Sequence, residues 1–300
     1  MKFESTLAEQ ASHATAIAIV RMKVIAAFER HGVEVSKVDA RTLRAGTDGY
    51  IALDNLVERC RNAQRQHWDD IIETHVTLVL ESQKHSNPDY LLGLPDEEFY
   101  MRLRERVVPM GALHRIDEYE YSQPLLDTPD SPRRVLNLTF PDLALTLPDR
   151  YLKNRDMEAA WAFGREHTGA VAFDTCESMV KDGIAIEVQR GNSIYLASKI
   201  ADMPTLITNH LGEAPFGVLF AIPSAYEIDY YRPLDVVEAM RAIELLVGLA
   251  DTLSKNTPNP LSREVYFWRD GEFCQVSAQH TITPKGILAD TLLELADREA

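Results

Sequence analysis

The dipeptide Asp270-Gly271 does most to narrow what this chain can fold into. It divides Glu264 to Val276, a run in which aromatic and aliphatic residues alternate with polar ones, and both of its residues tolerate the positive φ of a type I′ turn. Such a turn joins antiparallel neighbours, so hairpin sheets are expected. A second hairpin is expected over Gly183 to Ala197, turning at Arg190-Gly191-Asn192. Further extended segments read at Val33 to Val38, Ile116 to Tyr121, Val135 to Leu147 about a Pro141-Asp142 turn, and Gly217 to Ile222. Helical spacing falls between them. It reads near 8–31, over 54–83 with a break at Arg65-Gln66, from Asp96 to Glu105, over Met157 to His167, near 200–211, and over Ile287 to Arg298. The strongest helix follows Asp235, which forms a capping box with Glu238 ahead of the apolar stripe Val236, Val237, Met240, Ile243, Leu246 and Val247.

Strands grouped in hairpins, and not alternating singly with helices, predict an α+β fold in which antiparallel hairpin sheets pack with helices. The turn-like Leu147-Pro148-Asp149-Arg150 places a seam near 150, giving an N-terminal α+β half over 1–150 and a C-terminal α+β half over 151–300. With fifteen prolines and no long linker, the two halves are expected to pack closely. The polar stretch Glu81 to Pro95, which contains Asn87-Pro88 and Leu94-Pro95, reads as a loop.

Composition excludes several function classes. Cys60, Cys176 and Cys274 are far apart and form no CxxC pair, so neither a disulfide framework nor a structural zinc is expected; free thiols fit a reducing cytoplasm. Ala14 to Phe28 is apolar, but Glu4 and Glu9 precede it and Arg21 and Lys23 interrupt it before the ~20 residues a membrane span requires. It reads as an amphipathic helix of a cytoplasmic protein. The 46 acidic against 31 basic residues leave a net charge of −15. That balance is wrong for nucleic acid or an anionic membrane and suits solubility or the steering of a basic protein partner.

The familiar catalytic patterns fail on geometry. His67 and His75 lie two helical turns apart, about 12 Å along the axis, where one metal ion needs ligands at i and i+4. Ser178 and Lys181 match Ser-x-x-Lys, but no Ser-Asp-Asn or Lys-Thr-Gly partner occurs. There is no Gly-x-Ser-x-Gly elbow and no phosphate-binding glycine loop. No cofactor, metal or catalytic residue is therefore assigned.

Two tracts combine carboxylates with tyrosines: Asp117-Glu118-Tyr119-Glu120-Tyr121 and Tyr226-Glu227-Ile228-Asp229-Tyr230-Tyr231. If extended, the second puts Glu227 and Asp229 on one face and Tyr226, Ile228 and Tyr230 on the other. Such carboxylates can be the solvated face of an edge strand, can meet a basic protein with tyrosines as anchors, or can do acid–base or metal chemistry. The partner-binding reading selects Glu118, Tyr119, Glu120, Tyr121, Tyr226, Glu227, Asp229 and Tyr230. The chemical alternative is a metal-assisted hydrolase in which Glu227 and Asp229 are joined by His210 or His280.

In the second half, the strand Gly217 to Pro223, the stripe helix, Asn259-Pro260-Leu261-Ser262 and the hairpin Val265 to Gly271 follow one another. This succession, over 150–280, resembles the YtpQ-like family of uncharacterised bacterial proteins, a domain of unknown function. The first half is similar more loosely, through Tyr50 to Leu56 and Arg104 to Met110. The family often has a carboxylate three residues after the strand-ending proline, where this chain has Tyr226 and then Glu227. The resemblance implies an α+β fold and no reaction. The expectation is thus a non-catalytic acidic protein that acts by binding a protein with a basic surface, of which an inhibitor or immunity-type partner is one form.

Overall fold

The computed structural model describes residues 2–45, 49–82, 87–113, 115–128, 130–140, 143–255 and 257–299. The chain is α+β with antiparallel sheets, and it divides into two units. The first comprises Met1–Leu91 with Pro141–Leu143, and the second Leu92–Phe140 with Ala144–Ala300. The division falls at 91–92 and not near 150, because the strands on either side of 150 belong to one unit.

The first unit contains α1 (Lys2–Arg30), a three-stranded meander of β1 (Val35–Lys37), β2 (Thr42–Ala45) and β3 (Gly49–Ala52), then α2 (Asp54–Arg61) and α3 (Trp68–Ser82), with α4 (Pro88–Leu92) at its end. The expected break near Arg65-Gln66 is a 3-10 turn, Arg65–His67. Burial follows helical spacing: Val20, Val24, Ala27 and Phe28 of α1 pack on Leu56, Val57 and Cys60 of α2 and on Trp68, Ile72 and Val76 of α3. Lys23 pairs with Asp69 at 2.5 Å, and Arg30 and His31 share Glu73 at 2.6 Å, pinning α1 along α3. The α4 helix occupies the end of the stretch read as a loop.

The second unit opens with α5 (Asp96–Arg102), which ends three residues before the predicted Glu105; the chain then extends as β4 (Leu103–Val108). A small sheet forms from β4, β5 (Gln123–Pro124), β6 (Arg133–Thr139) and β7 (Ala144–Thr146), with β6 between β4 and both others. The turn read at Pro141-Asp142 lies outside the described residues. Helix α6 (Met157–Gly169), capped by Asp156 accepting from the Glu158 and Ala159 amides, covers one face of this sheet. Gly164 permits the approach, since a Cβ there would meet Leu136 at 2.8 Å.

The larger sheet has six strands: β8 (Thr175–Lys181), β9 (Ile184–Arg190), β10 (Val218–Ser224), β11 (Glu227–Tyr231), β12 (Val265–Arg269) and β13 (Glu272–Gln275), in the order β13-β12-β10-β11-β9-β8. The hairpin at Asp270-Gly271 forms as expected, with φ of +52° and +90°. The other hairpin differs: β8 and β9 turn at Asp182-Gly183, Lys181 opposite Ile184, while Arg190-Gly191-Asn192 leads out of the sheet. The central strand β10 is buried on both sides. Its Leu219 and Ala221 face α8 (Val236–Ser254), and Val218, Phe220 and Ile222 face Leu196, Ile200, Met203 and Leu206. Leu196 leads into, and the other three lie on, a run of 3-10 turn (Ala197–Asp202), short helix α7 (Met203–Leu206) and π turn (Ile207–Leu211), where one helix near 200–211 was expected. Asp235 caps α8 through the Glu238 amide at 2.8 Å. The two-stranded ribbon β14 (Ser277–Ala278) and β15 (Thr281–Ile282), followed by α9 (Ile287–Glu299), closes the unit. Among the described residues, no helix is long and apolar enough to cross a membrane.

A candidate anion-binding cleft

The sequence tracts are not surface strips. Ile116 to Tyr121 is not a strand: Ile116–Glu118 is a 3-10 turn, and Asp149 holds the next residues by accepting from the amides of Glu120 and Tyr121 at 2.9 and 3.2 Å. Glu118 pairs with Arg115 and Arg150, and Glu120 is exposed. Tyr121 is packed inward; its hydroxyl accepts from the Leu136 amide at 2.9 Å, and burial raises its pKa. The second tract is β11 and alternates as expected, Glu227 opposite Arg190 and Asp229 opposite Val188.

Burial changes what these residues can do. Asp229 is 0% exposed and Tyr230 3%, so neither can touch a protein partner. Glu227 is engaged by Arg190 through two bonds of 2.9 and 3.2 Å. Neither carboxyl oxygen of Asp229 accepts from an N–H or O–H donor among the described residues, and its polar neighbour is the Glu227 carboxyl, to which a protonated Asp229 can donate. Burial, with the Glu227 charge adding to it, pushes its pKa up to about 9, so it is a neutral acid at pH 7.

Among the described residues no histidine completes a metal site. His210 lies edge-on to Phe173, and His280 is 3.6 Å from Asp251. Among the described residues no three His, Cys, Asp or Glu side chains gather to hold an ion. Ser178 and Lys181 lie on β8, where an i,i+3 pair faces opposite sides, so the Ser-x-x-Lys geometry is absent. His67 is in the 3-10 turn before α3, off the helix that carries His75.

What the structure does bring together is a cleft of about 550 Å³ within the second unit, inside the 300–1,000 Å³ range of small-molecule sites. Its apolar wall is Val108 and Pro109 at the end of β4, Leu113 beyond them, and Pro260 with Leu261 opposite. The Asn259–Leu261 segment is laid against the end of β10 by backbone bonds from Ala225 to Asn259 and from Leu261 to Pro223. Polar groups come from Arg106, Tyr119, Thr146 and Asn259. Tyr226 donates no carboxylate but holds the Asn259 amide through its hydroxyl at 2.8 Å. Each tract thus contributes to the cleft through a tyrosine, Tyr119 directly and Tyr226 through Asn259.

Arg106 is the residue that sequence reasoning missed. β4 alternates, so Leu103, Glu105 and Val107 face one side and Arg104, Arg106 and Val108 the other. The Arg106 side chain is largely buried, makes no ion pair or hydrogen bond among the described residues, and has its Nε wholly shielded from solvent. Burial holds its pKa below the usual guanidinium value, countered only by the Tyr195 and Tyr226 phenols. Elsewhere in the same unit, three partly buried arginines have carboxylates: Arg134 has Glu105 at 2.5 Å, Arg190 has Glu227 at 2.9 Å, and Arg269 has Glu294 at 2.7 Å. A second cavity, lined by Glu105, Thr168, Lys199 and His210, has only about 20 Å³, room for little more than a water.

Compared with known proteins, the chain matches no protein-family model, no curated protein and no solved structure.

Proposed function

We propose that this is a binding protein without chemistry of its own, whose cleft takes the anionic group of a small molecule that has an apolar or aromatic body. The observation that carries this reading is Arg106: a half-buried guanidinium on the wall of a cleft, its Nε shielded, with no counter-charge among the described residues of a chain that has 46 acidic residues. Burying an unpaired cation costs several kcal/mol, roughly, and an incoming carboxylate or phosphate offsets that cost with a charge-assisted, often bidentate bond. The apolar wall of Val108, Leu113, Pro260 and Leu261 would cover the rest of the ligand, with Tyr119 as an aromatic contact.

The reading keeps the non-catalytic class expected from the sequence and changes what is bound. Support for a basic protein on the two tracts is weak, since Asp229 and Tyr230 are interior and Glu118 and Glu227 already hold arginines. The metal-assisted alternative lacks a histidine beside Glu227 and Asp229 among the described residues. Benzoate tests the proposal by thermal unfolding. It should raise the midpoint of the wild-type protein through mass action, and Arg106→Gln should remove the rise. A wild-type midpoint that benzoate leaves unmoved, or a rise that survives in Arg106→Gln, overturns it.

A further inference from the structure

Arg106 is not alone on its face. Arg104 stands two residues earlier on β4, on the same side, about 7 Å away at the backbone. Its only side-chain bond runs from Nη1 to the Leu103 carbonyl at 2.8 Å, and no carboxylate pairs with it among the described residues. Both guanidinium groups feel the Tyr195 phenol, whose oxygen is 2.7 Å from Thr139 Oγ1 on the neighbouring β6. A third arginine, Arg133, lies opposite Val108 on this face, but Ser122 occupies it through its hydroxyl and its carbonyl.

A second, independent observation lies in the row beside Arg104. The register places Arg104 opposite Asn137 and Asn137 opposite Thr146, which lines the cleft. Asn137 is 0% exposed, and neither its Oδ1 nor its Nδ2 has a partner among the described residues. A buried amide with both ends unmet is costly to the fold, because its desolvation is not offset by any bond. One sheet face therefore carries two cations without anions and a neutral donor without an acceptor.

Arg106 and Thr146 line the cleft, and Arg104 and Asn137 stand next to them on the same sheet face. We infer that the ligand's head group carries two negative charges, as a phosphate monoester or a dicarboxylate does, and that it reaches from Arg106 on the cleft wall towards Arg104 beside it. This rests on the reading of the Arg106 cleft given above. A monoanion would match one guanidinium and leave the other buried and unpaired, whereas a dianion matches both. The preference is electrostatic, so it should appear between ligands of one shape and different charge.

Phenyl phosphate and phenyl sulfate are such a pair, and at pH 8 the phosphate is a dianion because its second pKa is about 6. Isophthalate and benzoate form the corresponding carboxylate pair. Calorimetric titration of the wild-type protein at fixed salt should show at least one dianion binding about tenfold or more tighter than its monoanion, a difference of about 1.4 kcal/mol. Which pair shows the larger ratio identifies phosphate or dicarboxylate as the source. Arg104→Gln should bring the dianion down to the level of the monoanion and leave the monoanion little changed, and Arg104→Lys should recover part of the ratio. Equal affinity within both pairs, with binding still lost in Arg106→Gln, overturns the two-charge inference and leaves the monoanion cleft standing. No binding by any of the four probes overturns the cleft reading itself.

Discussion

The two faces of β4 carry the same kinds of residue and treat them in opposite ways. On one, Glu105 is 1% exposed and accepts from Arg134 at 2.5 Å and Arg165 at 3.4 Å, while Thr168 of α6 donates to its backbone carbonyl. On the other, Arg104 and Arg106 are half-buried and meet no carboxylate among the described residues. A buried charge that exists for the fold is surrounded by partners, as Glu105 is. A buried charge without partners weakens the fold, and its place is explained by something that arrives later. Sites are separated from scaffold here by pairing and not by burial.

The largest effect should come from breaking the paired face. Glu105→Ala takes the carboxylate from Arg134, 17% exposed at the side chain, and from Arg165, which meets the same carboxylate at 3.4 Å. Loss of one member of such a buried network costs about 3–5 kcal/mol, to be read as the shift of the urea midpoint at unchanged slope. A cost below about 1 kcal/mol, the value for a surface pair, would mean that Glu105 is no scaffold charge, and the contrast between the faces would fail.

The next effect extends the contrast to Asp229, the buried acid that no donor meets among the described residues. Asp229 binds a proton in the folded state well above the pH at which it loses it when unfolded. The unfolded chain therefore holds fewer protons between about pH 4 and 9, and stability falls as pH rises through that window by up to about 1.4 kcal/mol per unit. Below the unfolded pKa the penalty disappears. Asp229→Asn keeps the shape and cannot ionise, so the variant should be the more stable protein at pH 8, and the gap should close towards pH 4. Parallel stability curves from pH 5 to 8 for the two proteins would show that Asp229 is not the neutral buried acid its surroundings describe.

Much of the scaffold could be read from local chemistry, and the failures have local reasons. Asp270-Gly271 and the Asp235 cap act within a few residues of themselves, so their spacing sufficed. Gly191 misled because its role is packing: a Cβ there would sit 2.6 Å from Leu196 Cδ1, and the actual turn residue is Gly183 at φ +82°. The helical reading from Asp96 to Glu105 overruns the strand by Leu103 to Glu105, since the consecutive charges Arg104, Glu105 and Arg106 show no period-two alternation of polarity. The pairing of β4 with β6, some 30 residues later, decides the matter. The tyrosines of the cleft stood out in the sequence, but its arginines did not. Whether an arginine has found a carboxylate is a property of the folded chain, and in a sequence this acidic every arginine looks provided for.

The smallest expected effect is the most discriminating. Arg106→Met keeps most of the length of the side chain and removes its charge, and no ion pair or hydrogen bond to the protein is lost with it. Where a partnered buried arginine would cost several kcal/mol, this substitution should lie within about 1 kcal/mol of wild type, or be stabilising, because replacing an unmatched buried charge by an apolar group is neutral or favourable. The urea midpoint reads it directly, with Arg134→Met as the reference from the opposite face. A loss in Arg106→Met as large as in Arg134→Met would place Arg106 in the scaffold. A stable Arg106→Met that no longer responds to benzoate would mean that the charge is kept for the ligand, against the interest of the fold.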